Sequence, residues 1–259
     1  MFKTDNYKNK TVVITGGTKG IGLGITKAYL SLSANVIILA RNKPKKQIQV
    51  KGNKALFYQC NVRDNANVEE VINEVFEANK CIDVLINNAG GAPLINSLDA
   101  SMNFNNAIID LNLNSSFAVS YYVAKKMIKK SSGCVITNIS SVTATRPTPG
   151  SAAYGAAKGG LVNLTKTLAV EWAPRIRVNS IITGYIETEN SLVHYGSKKD
   201  MKAVAKTIPM KRMGTPEDIA NACIFLSSAN SSWITGTAIE VHGGGESPTY
   251  LNSAKPKKS

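Results

Sequence analysis

The chain is short of histidine, cysteine, aromatic residues and acidic residues, and it has no long apolar run. Its four cysteines, Cys60, Cys81, Cys134 and Cys223, are scattered with no C-x-x-C pair, and only two histidines occur in 259 residues. That excludes a disulfide framework and any zinc-ligand spacing, so no metal site is expected. Each cysteine lies in or beside an apolar run, as a small buried hydrophobe does. The longest apolar stretches, such as Val36-Ile37-Ile38-Leu39-Ala40, have strand length, whereas a bilayer crossing takes about 20 apolar residues, so no membrane span is expected. Residues Met1 to Lys10 are polar and lack the apolar core of a secretory signal, which predicts a cytoplasmic protein. Aromatics make up 7% of the chain and no helix-turn-helix or zinc-finger pattern occurs, which argues against nucleic-acid binding as the main role. No Pro/Ser-rich linker interrupts the chain, so one domain over residues 1–259 is expected. The 17 acidic residues stand against 31 Lys and Arg, a net charge of +14. Such a balance points to anionic partners: nucleic acid, acidic protein, phosphorylated cofactor or anionic lipid.

Short Val/Ile-rich runs alternate with helical periodicity. Strands are expected at Lys10 to Thr15, Asn35 to Ala40, Lys54 to Gln59, Val84 to Asn87, Cys134 to Ile139, Arg177 to Ile182 and Ala238 to Val241. Helices are expected at Ile21 to Leu32, Val68 to Ala78, Met102 to Lys130, Ala153 to Ala173 and Pro216 to Leu226. Continuous apolar strands separated by helical crossovers predict an α/β fold. It would be a doubly wound, Rossmann-like parallel sheet of about seven strands with helices on both faces, a three-layer αβα arrangement. Two stretches break the rhythm: Arg41 to Lys54, rich in Lys with no acid, and the long polar segment from Glu189 to Lys211. Residues 189–207 are read as a lid over a substrate site, and residues 247–259 as a loose polar tail.

After the first strand comes Thr15-Gly16-Gly17-Thr18-Lys19-Gly20-Ile21-Gly22, leading directly into helix. Glycines here allow a tight turn and close backbone approach to a diphosphate, and the helix start offers free N–H groups. An acid at the end of the second strand would bond the ribose 2′-hydroxyl of NAD, but the sequence there is Ala40-Arg41-Asn42. Arg41, with Lys19, suits the 2′-phosphate of NADP. NADP (as NADPH) is the expected cofactor, with NAD the weaker alternative.

Ser140-Ser141 closes the fifth strand, and thirteen residues beyond Ser141 comes Tyr154-Gly155-Ala156-Ala157-Lys158. A spacing of four places Tyr154 and Lys158 on one helical face, where the ammonium is expected to lower the phenol toward a working pKa. Ser141 could hold the same substrate oxygen while hydride reaches its carbon.

With these residues on the page, the chain resembles the short-chain dehydrogenase/reductase family in its short, single-domain form, from Lys10 to Gly244. The resemblance rests on the glycine loop, Asn87-Asn88-Ala89-Gly90, Ser141, Tyr154-x-x-x-Lys158, and Ile234-Thr235-Gly236 with Gly243-Gly244. It implies hydride transfer between a nicotinamide and a carbonyl or alcohol, with Tyr154 as general acid in reduction. It also implies Asn112 as a fourth catalytic residue, whose backbone holds a water that relays protons to Lys158. Lys158 would bind the nicotinamide ribose as well, Asn88, Ala89 and Gly90 would line the adenosine side, and Thr188 would meet the carboxamide, with Gly184 and Ile186 beside it. Three positions depart from the family pattern. Asn61-Val62 stands where Asp-Val is usual against the adenine, Thr183-Gly184 replaces Pro-Gly, and His242 replaces an acid common near the last strand. The overall pattern is most like that of 3-oxoacyl-carrier-protein reductases. This implies a small carbonyl substrate and an acidic acyl carrier protein docking near Lys129, Lys130 and Arg175 at the active-site mouth. A homotetramer or homodimer built on the two long helices is also implied. Sugar, steroid and specialised-metabolite alcohol dehydrogenases share the pattern and remain open, as does a non-catalytic NADP-binding regulator.

Overall fold

A computed structural model describes residues 7–129 and 133–246, so Lys130 and the tail at 247–259 lie outside the described residues. The first strand, β1 (Thr11–Thr15), is buried along its whole length and leads through the glycine loop into α1 (Gly20–Ser31). The chain continues through β2 (Asn35–Ala40), the short β3 (Gln49–Val50) and β4 (Asn53–Lys54), β5 (Leu56–Gln59), α2 (Asn65–Asn79) and β6 (Val84–Asn87). Next come α3 (Met102–Ile109), a π-helical turn at Asp110–Asn114, α4 (Ser115–Met127), β7 (Cys134–Ser141), α5 (Ala152–Trp172) and β8 (Ile176–Thr183). The last described elements are α6 (Ser191–Tyr195), α7 (Lys198–Thr207), α8 (Pro216–Ser227) and β9 (Ala238–Val241).

Seven strands form one parallel sheet in the order β5-β2-β1-β6-β7-β8-β9. Alternation along β1 sends Val13 to the face covered by α2, α4 and α5, and Val12 and Ile14 to the face covered by α1 and α8. The two cores are built from such pairs, and each fully buried Ile or Leu stabilises by about 1.5–3 kcal/mol. This is the doubly wound αβα architecture read from the sequence. The strand order reverses between β1 and β6, and ligands in such sheets bind at the carboxyl ends beside that reversal.

Three segments differ from the sequence expectation. The strand expected at Lys54 to Gln59 divides: Asn53 and Lys54 pair antiparallel with Gln49 and Val50, and only Leu56–Gln59 joins the sheet. The crossover from β2 to β5 is therefore a hairpin rather than a helix. The helix expected from Met102 to Lys130 is interrupted by the π-helical turn. There Asn112 Nδ2 donates to the Ile108 carbonyl at 2.9 Å and to the Gly91 carbonyl at 3.0 Å. A side chain that takes the carbonyl of the preceding turn competes with the helix's own N–H, and the helix admits an extra residue there. Finally, the segment read as polar insertion contains α6 and α7, the latter begun by a Ser197/Asp200 capping box.

Candidate active site

The loops after β1, β6, β7 and β8 all open at the carboxyl edge of the sheet. The glycine loop and the Asn88–Gly90 loop are tied together. Thr15 Oγ1 accepts from the backbone N–H of Asn88 and Ala89, each at 3.0 Å, and Asn88 Nδ2 donates to Thr15 O and Gly16 O at 3.0 and 3.2 Å. Gly22 has no room for a side chain, because a Cβ would collide with the Gly16 carbonyl and lie 2.5 Å from Asn88 Nδ2. At the start of α1, Gly20 N–H donates to both carboxylate oxygens of Glu189, at 2.9 and 3.1 Å. An anion thus already sits on the helix start, where N–H groups without intrahelical partners favour negative charge. Thr18 and Ile21 are partly buried around it, and Thr188 lies against Gly20. Lys19 on this loop and Arg41 at the end of β2 are both exposed, and neither has a partner among the described residues. Asn61 is partly buried and Val62 is buried beyond the end of β5, with Asn61 Oδ1 accepting from Arg63 N–H at 3.3 Å.

A second group gathers beside β6 and β7. Asn112 is fully buried and also accepts from Gly91 N–H at 2.8 Å. A Cβ on Gly90 would lie 2.6 Å from Asn112 Oδ1 and 3.2 Å from Lys158 Nζ, so the bare glycine lets these two side chains converge. Lys158 is 3% exposed, and its Nζ donates to the Ile139 carbonyl at 2.8 Å. Burial lowers its pKa to about 8. The Lys158 ammonium is 5.7 Å from the Tyr154 ring centroid. The expected lowering of Tyr154 by that ammonium is replaced by the reverse: burial, the larger influence, raises the phenol, and a hydrogen bond with the Ser141 hydroxyl opposes it. Ser141 Oγ also accepts from Thr143 N–H at 3.3 Å. Below them, Asn87 Nδ2 donates to Asn138 Oδ1 at 2.8 Å and to Ser120 Oγ at 2.7 Å, while Asn138 Nδ2 donates to Thr165 Oγ1 at 2.9 Å. This buried network fixes β6 and β7 against α4 and α5.

On the β8 side, Gly184 N–H donates to Val241 O at 3.1 Å, and Thr183 Oγ1 donates to Ser140 O at 3.0 Å. A hydroxyl thus ties the turn that proline would have stiffened. Ile186 is buried and bridges Gly214. His242 is occupied by Glu240, 2.7 Å away, and by Gly244 N–H.

The structure separates one group expected at the site mouth. Lys129 follows α4 and Arg175 precedes β8, both at the amino ends of the strands. Along the eight residues of β7, that is roughly 25 Å from Ser141 at about 3.3 Å per residue. Arg175 there donates to the Ile128 carbonyl at 3.0 Å, closing the end of α4. Sequence reasoning missed Glu189, as well as the connected group of Arg146, Tyr185, Tyr195 and Glu246. They come together only through segments distant in the chain, and none carries a local spacing signal.

A phenol, a hydroxyl and an ammonium beside an anion-binding helix start can hold a carbonyl and exchange a proton with it. A family profile described as "Enoyl-(Acyl carrier protein) reductase" matches residues 16–246. The chain is 36% identical over 242 residues to the 3-oxoacyl-[acyl-carrier-protein] reductase FabG of Chlamydia pneumoniae, covering 91% of this chain and 96% of that one. It is likewise 36% identical over 255 residues to oxidoreductase UcpA of Salmonella typhimurium, covering 94% and 97%. Among solved structures, the ligand-free Thermoplasma acidophilum aldohexose dehydrogenase superposes with a TM-score of 0.86 at 30% identity over 98% of both chains. With the sheet order, the site geometry and these likenesses in agreement, the chain belongs to the short-chain dehydrogenase/reductase family of oxidoreductases.

Proposed function

We propose that the protein is an NADPH-dependent reductase that turns a ketone into a secondary alcohol, with a 3-oxoacyl thioester as the first substrate reading. The observation that carries this is the convergence of Asn112, Ser141, Tyr154 and Lys158 beside a glycine loop whose helix start already binds a carboxylate. That carboxylate supports the fit of a dinucleotide diphosphate to Gly16, Thr18, Lys19, Gly20, Ile21 and Gly22. Members of this family bind NAD(P); here Arg41, with no acid beside it, favours NADPH over NADH. Asn61, Val62, Asn88, Ala89 and Gly90 would flank the adenosine, and Gly184, Ile186 and Thr188 the nicotinamide. When bound, NADPH supplies the hydride that reduces the carbonyl carbon, leaving NADP+.

Ser141 Oγ holds the substrate's carbonyl oxygen. Tyr154, a phenol protonated at neutral pH with its pKa raised further by burial, gives its hydroxyl proton to that oxygen as the C=O becomes C–OH. Lys158 holds a proton at Nζ close by, and Asn112, locked between Gly91 and Ile108, fixes the turn from which that proton is restored. A non-catalytic regulator would have no use for all four groups, so catalysis is the reading we keep.

The thioester reading is supported by the 36% identity to a 3-oxoacyl-[acyl-carrier-protein] reductase and by a basic surface suited to an acidic carrier protein. Because Lys129 and Arg175 stand far from Tyr154 in one chain, they do not themselves support docking at the mouth of the same chain's site. The second reading, an alcohol dehydrogenase acting on a sugar, is supported by the likeness to an aldohexose dehydrogenase. We also infer a homodimer or homotetramer, because Phe117 and Tyr121 on α4 and Val170 on α5 are 45%, 45% and 81% exposed on the expected pairing helices.

The test is NADPH oxidation, with NADH alongside, on acetoacetyl thioesters of carrier protein and CoA, a ketose and simple ketones. Turnover with a preference for NADPH is expected, and Tyr154→Phe should lower it by about 100-fold or more while leaving NADPH binding near wild type. Full turnover in Tyr154→Phe would remove the assigned acid.

A further inference from the structure

A polar row lies at the carboxyl edge of the sheet, beginning on the segment that joins Ser141 to Tyr154. Arg146, five residues past Ser141, donates from Nη2 to Glu246 Oε1 at 2.6 Å and to the Tyr185 hydroxyl at 3.1 Å. Its guanidinium carbon is 5.7 Å from the Tyr185 ring centroid. Tyr185 meets Tyr195 edge-on with centroids 5.8 Å apart. Tyr195, whose hydroxyl is pushed up to about 12 chiefly by burial, also lies within electrostatic reach of Tyr185 and Tyr154. The row thus joins the segment after β7, the turn after β8, the helix α6 and the segment after β9 at the catalytic edge of the sheet.

Both partners of Arg146 share its Nη2. The side chain is 34% exposed, and its Nη1 has no hydrogen-bond partner among the described residues and is not enclosed. It is therefore a reachable charged donor on the stretch between Ser141 and Tyr154, the two residues that would face the reacting carbonyl. The Nε of the same guanidinium is buried without a partner among the described residues, so Glu246 and Tyr185 alone hold the group in place. A fixed, charged N–H is answered by a ligand oxygen. An alkyl chain would leave it as it is.

Resting on the ketone-reductase reading, we propose that Arg146 is a specificity-determining residue that donates to an acceptor oxygen of the substrate beyond the reacting carbonyl. The preferred substrate is then a carbonyl compound with a second oxygen function, not a plain alkyl ketone. Glu246 and Tyr185 are positioning residues that aim the guanidinium. The second oxygen is either the thioester carbonyl of a 3-oxoacyl substrate or a hydroxyl of a polyhydroxy ketone.

The experiment uses the full chain with NADPH and three ketones of similar length: an acetoacetyl thioester, a dihydroxy ketone and a methyl alkyl ketone. Wild type, Arg146→Met and Arg146→Lys are compared, with thermal melts to verify folding. The quantity read is kcat/KM for each oxygenated ketone divided by that for the plain one. Wild type should favour an oxygenated ketone, and in Arg146→Met the ratio should fall by about tenfold or more, mostly through KM. Arg146→Lys, which keeps the charge, should be intermediate. A fall confined to the thioester identifies an acyl carbonyl as the second oxygen, and one confined to the dihydroxy ketone identifies a hydroxyl. Equal loss on all three ketones, or a wild type that prefers the plain one, overturns the inference and leaves the reductase reading intact. Absence of ketone turnover by wild type with either nucleotide overturns the reductase reading itself. If Arg146→Met does not fold, an unchanged ratio in Arg146→Lys overturns the inference alone.

Discussion

Lys158, to which the proposed function gives a proton-holding role, shows what a buried ammonium costs its own fold. Its pKa is lowered to about 8 by burial, so between that pH and the ordinary lysine range the unfolded chain binds a proton that the folded chain does not. Stability therefore rises with pH across that window, and below it the folded protein carries an unfavourable buried ammonium. Lys158→Met should abolish turnover yet stabilise the fold at pH 7, by up to about 3 kcal/mol at 1.36 kcal/mol per pKa unit. Unfolding in denaturant at pH 7 and at pH 10 measures this. The gap between variant and wild type should shrink at the higher pH, and a gap that stays constant would show that the ammonium is not destabilising the fold. Tyr154 is affected in the opposite sense: burial raises its pKa above that of an ordinary phenol, which is itself protonated at neutral pH. The sequence located both residues through their spacing of four, but not the direction of the phenol's shift. That depends on enclosure by residues remote in the chain.

At the scale of elements, the segment holding α6 and α7 is fastened to the glycine loop through Glu189, whose carboxylate takes Gly20 N–H. A diphosphate at the same helix start would meet that negative charge. Glu189→Gln removes it while keeping an acceptor for the N–H, so NADPH should bind severalfold tighter, as expected for a charge at a helix terminus. Titration of NADPH by fluorescence or calorimetry reads this, and weaker binding would mean that Glu189 supports the cofactor. The strands were legible because they are short apolar runs, and β1, β2, β6, β7 and β8 are buried along nearly their whole length. The break in the helix beginning at Met102 was not, because Asn112, which takes the Ile108 carbonyl there, is also bonded to Gly91, a partner 21 residues away. Likewise, no local pattern joins Glu189 to Gly20, which is 169 residues distant.

For the molecule as a whole, the net charge of +14 creates a field that attracts a polyanionic nucleotide before any contact forms, and salt screens it over about 10 Å at 0.1 M. The kcat/KM for NADPH should fall severalfold between about 20 and 500 mM salt, while kcat at saturating NADPH changes little. Initial rates at subsaturating NADPH test this, and a flat profile would mean that the positive charge lies away from the cofactor's approach. The wider architecture followed from composition and periodicity, as did the position of the glycine loop between β1 and α1 and of Tyr154 and Lys158 on α5. What gathers at the carboxyl edge of the sheet depended on segments far apart in the chain, such as Arg146 with Glu246, 100 residues apart. The hairpin that carries the chain from β2 to β5 has one further consequence. The arginine that would select the nucleotide sits at its base, whereas the proposed proton donor sits on α5, across several strands of the sheet. Under the proposed function, coenzyme choice and carbonyl chemistry would therefore rest on separate pieces of chain, so a substitution at Arg41 should change the preferred nucleotide and leave proton donation as it was.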